Sequence, residues 1–216
     1  MGSTNLRLSQ AQFVAQTIQS LAPQFPHLKA IPGYMNWVKG ICFVESRFNP
    51  FSIGPPVNDQ YATEAISAAT ALGLASGITQ FSPNIQNLRL AIGIMQVMGW
   101  NLMDGLPGLT IPPPYYQVLK SNGLINPVTI NPQAALLPPV PYETSVKLGL
   151  LAGMSVLDLK IKETGGIERA VYDYGGGSDS YLSSVSTAAG IPLVFLSNGI
   201  DPSGTSVPPP TTAKAC

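Results

Sequence analysis

Histidine occurs once in this chain, at His27, and cysteine twice, at Cys42 and Cys216. A usual zinc site draws four ligands mainly from Cys and His, so this inventory cannot build one, and no His-Glu-x-x-His pair is present. A Ser-His-Asp or Cys-His device would have to use His27. That residue lies in "APQFPHLKAIPG", where Pro23, Pro26 and Pro32 predict a connector. Charge is scarce too: charged residues make up 10% of the chain and the formal net charge is zero. Electrostatic capture of nucleic acid or of an anionic membrane is therefore not expected. The longest apolar run, Leu148 to Leu157, is too short to span a bilayer. Residues 1–10 are polar and lack the apolar stretch of a signal peptide, so synthesis in a cytoplasm is expected, without membrane insertion. Two free thiols are the expectation for the cysteines, with a Cys42–Cys216 disulfide left open.

What the chain does have is apolar residues, 45% of 216, enough for one well-filled core. Residues 1–201 are read as a single, mainly helical domain, and 202–216 as a loose Pro/Ser/Thr-rich tail. The spacing of Val14, Ile18 and Leu21 predicts a helix over 9–21, with Ser9 and Gln12 at capping-box distance. A second helix is expected over 33–46, a third over 62–74, a long one over 142–162, a short one over 166–173 and a last piece after "YGGGSDSYLSSV". In the long helix Gly149 and Gly153 share a stripe with Val146, Leu150 and Leu157, which allows close packing. Residues 91–104 are apolar and punctuated by Gly93 and Gly99; residues 105–141 carry nine prolines and read as an ordered surface excursion.

One ionisable group stands out. In "GICFVESRFNP" Glu45 ends an apolar run, in the last turn of an expected helix. The helix dipole disfavours negative charge there, and burial beside Phe43 and Phe48 would raise its pKa further. Three pieces then line up in order: "ESRFNP" at 45–50, "AIGIMQVM" at 91–98 and "RAVYDYGGG" at 169–177. Together they resemble the soluble lytic transglycosylases and goose-type lysozymes and, more narrowly, a phage wall lysin such as that of an enveloped double-stranded RNA bacteriophage. The resemblance covers most of residues 33–185. It departs from the family in three places: residues 55–89 are inserted, "SIGPP" replaces a Ser-x-x-Gly-Ala step, and Asp173 stands where Asn is common.

The resemblance implies an α+β lysozyme-like fold, mainly α, that cleaves the N-acetylated glycan strands of bacterial peptidoglycan. It implies no metal or organic cofactor and a monomer acting at the cell wall or periplasm, delivered by a virion or through a membrane pore. Breaking a glycosidic bond requires protonating a weakly basic oxygen, and an ordinary Glu with a pKa of about 4.3 is ionised at neutral pH. Glu45, raised to roughly 6–7, would keep that proton available as general acid and then act as base. Ser46 would orient Glu45 or touch a sugar. Gln96 would use its donor and acceptor on an acetamido group, Met95 would flank the N-acetyl methyl, and Tyr172 would bring a hydroxyl to Glu45. Each has a plainer alternative: a surface Glu paired with Arg47, a helix-terminal hydroxyl at Ser46, a lone polar Gln96, and core packing for Met95 and Tyr172. Trp100, Tyr115 and Tyr116 could stack on sugar rings. Asp59, Glu64 and Asp104 are the candidates for a second carboxylate. A single-carboxyl route fits the motifs best, with the substrate's acetamido and 6-hydroxyl groups supplying the rest. Two other readings stay open: a peptidase of the wall's cross-links, and a non-catalytic wall-binding virion protein.

Overall fold

The structure, a computed structural model, describes residues 3–58, 60–74, 83–99 and 140–193. The excursion is described only from residue 140, and the tail from 202 lies outside the described residues, as do Asp59, Trp100, Asp104, Tyr115, Tyr116 and Cys216. The described chain is mainly helical with one two-stranded sheet, as expected from the helical segments read along the sequence. In order it forms α1 (Ser3–Leu21), a 3-10 turn (Ala22–Gln24), α2 (Pro26–Lys29), α3 (Tyr34–Ser46), α4 (Gln60–Leu74) and α5 (Pro83–Gln86). Strands β1 (Ala91–Ile92) and β2 (Val97–Met98) follow, then α6 (Tyr142–Thr164), α7 (Ile167–Tyr174) and α8 (Asp179–Ala189). The bounds of α3, α4, α6 and α7 fall within two residues of those expected, the short α2 and α5 were not expected, and α1 differs at its start. That helix begins at Ser3, so Ser9 lies within it and does not start it. No helix among the described residues is long and apolar enough to cross a membrane.

The chain divides into two compact units, Met1–Phe48 with Met154–Cys216, and Asn49–Gly153. In the first, Val14, Ile18, Phe25, Leu28, Trp37, Val38 and Ile41 are buried with Leu157, Val171, Leu182 and Val185. Helices α3 and α8 meet closely at Gly40, where a Cβ would stand 2.7 Å from the Val185 carbonyl oxygen. The Pro-rich connector is tied down by a buried carboxylate: the Leu28 N–H donates to Asp158 Oδ1 at 2.6 Å. Helix α3 then ends without glycine. Arg47 and Phe48 both adopt left-handed φ angles, 55° and 64°. Such a conformation costs roughly 1–2 kcal/mol per non-glycine residue. The turn it creates brings the Phe48 N–H back to the Cys42 carbonyl at 3.2 Å.

In the second unit β1 and β2 pair antiparallel, Ala91 with Met98 and Ile92 with Val97. Ile53 adds an isolated bridge to Ile92. The apolar stretch from 91 thus forms a tight hairpin, turned by Gly93 at φ 84° and Gln96 at φ 49°. Its tip, Ile94 and Met95, lies on α6 where glycines leave room. A Cβ on Gly149 would stand 3.2 Å from Ile94, and one on Gly153 would overlap Met95. The close packing expected of that glycine stripe is present. A smaller cluster joins Ala62, Ala65 and Ala69 of α4 to Ile85, Leu88 and Met98.

Candidate active site

Three features of the first unit converge on Glu45. Helix α3 carries the residue in its last turn, with Ile41 and Cys42 completely buried one turn earlier. The left-handed Arg47 and Phe48 turn the chain away just after it. Helix α8 brings up Tyr181, whose hydroxyl donates to Glu45 Oε1 at 2.5 Å. Burial pushes the Glu45 carboxyl from 4.5 up to about 7, and the Tyr181 hydrogen bond pulls the other way without cancelling it. A half-buried carboxyl that holds its proton at neutral pH is what general acid catalysis requires.

Tyr181 is seated by the residues just before it. The loop "GGGS" leads into α8, and Ser178 caps that helix by accepting from the Tyr181 N–H at 3.3 Å. Gly175 lies against the tyrosine ring so closely that a Cβ there would overlap it. Burial raises the Tyr181 hydroxyl well above its usual range, and the neighbouring Glu45, Tyr174 and Cys42 push it further. The phenol therefore stays a neutral donor. Cys42 is a free, buried thiol, raised by burial and then by Glu45 well out of the reactive range.

No family model, curated protein or solved structure matches this chain. The site is accordingly defined by its own side chains, and not all those expected from the sequence serve it in the same way. Ser46 is buried and its hydroxyl donates to the Cys42 carbonyl at 3.0 Å, closing its own helix. Arg47, the partner that a surface role for Glu45 required, lays its guanidinium 4.1 Å from the centre of the Phe43 ring. Phe43 is itself 40% exposed and pairs with Phe48 at 6.0 Å between ring centres. The Tyr172 ring lies under the Arg169 guanidinium at 5.0 Å. Arg169 also pairs with Asp173 at 3.3 Å, which gives the unexpected charge at that position a partner.

In the second unit Met95 is fully enclosed and offers no surface to a sugar. Its side chain is core because the glycine stripe of α6 admits it. Gln96 spends its amide hydrogens on the backbone: Nε2 donates to Ser52 O at 3.0 Å and to Gly93 O at 2.8 Å. Its Oε1 faces Gly54, where a Cβ would come within 2.7 Å. The expected acetamido-binding residue thus clamps the hairpin turn to the 52–54 segment. Glu64 lies exposed on α4 and accepts from Gln60 Nε2 at 2.7 Å. Among the described residues no three His, Cys, Asp or Glu side chains gather as metal ligands.

Tyr181 was not among the residues singled out in the sequence. Its signal was there in "GGGSDSY": a glycine run that leaves room for a ring, then an N-cap serine that sets an aromatic side chain in the first turn of a helix.

Proposed function

We propose that this protein cleaves the glycan strands of bacterial peptidoglycan on a lysozyme-like fold, with Glu45 as general acid and then general base. One observation carries the reading: the Glu45 carboxyl, half-buried at the end of α3 and bonded to Tyr181, is pushed up to about 7. The ordered motifs around Glu45, Gln96 and Tyr172 and the mainly helical architecture support it.

In the first step protonated Glu45 gives its proton to the glycosidic oxygen, and the bond from that oxygen to C1 of the muramyl sugar breaks. The sugar's acetamido oxygen holds the electron-poor C1. The Glu45 carboxylate then takes the proton of the C6 hydroxyl as that oxygen closes on C1, giving a 1,6-anhydro end. Water in place of the C6 hydroxyl gives a reducing end. A carboxylic acid still accepts hydrogen bonds through its carbonyl oxygen, so Tyr181 fixes one oxygen while the other carries the proton. Proton transfer of this kind contributes about 10²–10⁴-fold.

Mass spectrometry of digested peptidoglycan decides among the reactions. Anhydro-muramic ends are expected, and reducing ends would mark the hydrolytic variant. Freed amines with intact glycan would replace this reading by a peptidase. No change in the wall would leave a binding protein.

A further inference from the structure

We propose that a cleft in the Asn49–Gly153 unit binds the free carboxylate of a peptide stem carried by the glycan. The inference rests on the peptidoglycan reading above and adds a second contact to it. The cleft, of about 260 Å³, lies between α4 and the 3-10 turn Asn87–Arg89 that follows α5. Ala62 and Ile66 supply apolar surface, Thr63, Ser67 and Gln86 supply polar groups, and Arg89 supplies the one charge among its lining residues.

Arg89 is held ready in this cleft. Its Nε donates to the Val57 carbonyl at 3.0 Å and its Nη1 to Gln86 Oε1 at 3.1 Å. Both partners are neutral, so the guanidinium is fixed in orientation while its charge has no acidic partner among the described residues. Glu64, one turn from Ser67 on the same helix, is engaged by Gln60. A fixed, planar guanidinium beside hydroxyl groups suits a carboxylate, with charge-assisted bonds about twice as strong as neutral ones. A single cation matches a single negative charge better than a phosphate dianion. The volume sits just below the roughly 300–1,000 Å³ of small-molecule pockets. It admits the end of a peptide, not a disaccharide. The lining residues of the cleft all fall within residues 55–89, between the first two motifs.

The test is titration of the full chain with a free stem peptide ending in a carboxylate, and with the same peptide as its C-terminal amide, followed by calorimetry. The acid is expected to bind at least ~10-fold more tightly than the amide, the scale of one charge-assisted bond. Arg89→Ala also removes two structural hydrogen bonds and is open to misfolding. Ser67→Glu is therefore the informative variant, since Ser67 is exposed on α4 and places a competing carboxylate in the cleft. It should abolish the preference for the acid while the variant keeps the wild-type midpoint of unfolding in urea. Equal binding of acid and amide, no measurable binding of either, or an unchanged preference in Ser67→Glu would overturn the proposal. Peptide binding without glycan cleavage would sink the glycosidase reading alone; glycan cleavage without peptide binding would sink this one alone.

Discussion

Glu45 and Gln96 look alike in the sequence: each is a polar residue set in an apolar run, and each belongs to a motif of the same resemblance. The structure separates them. Around Glu45 burial is only partial and its hydrogen bond comes from a side chain, so the carboxyl stays titratable and keeps its proton near neutrality. Around Gln96 the partners are two backbone carbonyls, and the side chain closes a hairpin turn. A polar group in an apolar setting thus marks either chemistry or the repair of backbone hydrogen bonding. What distinguishes them is the group itself and its partners: the Glu45 carboxyl carries an exchangeable proton, whereas the Gln96 amide does not ionise and is held by two backbone carbonyls.

The largest expected effect breaks the Glu45 side of this contrast. Glu45→Gln keeps the shape and removes the transferable proton, so release of soluble glycan from cell walls should fall at least ~100-fold. Lysis at the wild-type rate by a purified, folded variant would remove Glu45 from the reaction.

The same variant sharpens the contrast through stability. The folded-state pKa of about 7 lies above the ordinary 4.5, so between those values the folded protein binds the extra proton. Stability contributed by this group is complete below about 4.5, falls as pH rises towards about 7 and levels off above. At ~1.36 kcal/mol per unit of pKa the whole effect is at most about 3.5 kcal/mol. Glu45→Gln should therefore gain on the wild type in urea unfolding as pH rises from 5 to 8. A constant difference across that range would show that Glu45 is not held protonated.

Gln96→Ala tests the other side. It leaves the carbonyls of Ser52 and Gly93 without their side-chain donor, and alanine at φ 49° gains nothing in return. Unfolding stability should drop by about 1–3 kcal/mol. Full stability combined with weakened binding of a chito-oligosaccharide would restore Gln96 to the ligand site.

The smallest effect concerns tuning. Removing the Tyr181 hydroxyl takes away the bond that pulls the Glu45 pKa down, so the alkaline limb of the pH–rate profile should move upward in Tyr181→Phe. Gly175→Ala should move it in the same direction, because the added Cβ displaces the tyrosine ring. An unmoved limb in both variants would mean that Tyr181 does not govern Glu45.

The sequence by itself determined the helices and the electrostatic problem. Apolar spacing located α3 and α6 because a stripe repeating every three to four residues buries itself only as a helix, and an alanine-rich run located α4. It also marked Glu45, since a carboxylate closing an apolar helix is disfavoured wherever that helix packs. Gly149 and Gly153 could be read as a packing groove for the same reason. Two-residue strands were not legible in residues 91–98, because a pairing that short carries no alternation to detect. Nor could the sequence assign partners across the chain. Tyr181 stands 136 residues from Glu45, and Gln96 stands 44 residues from Ser52. Which polar group a side chain meets depends on how helices and turns cross in space. Only the tertiary structure therefore decided that the hydroxyl on Glu45 is that of Tyr181, that Met95 is core, and that the amide of Gln96 is spent on the backbone.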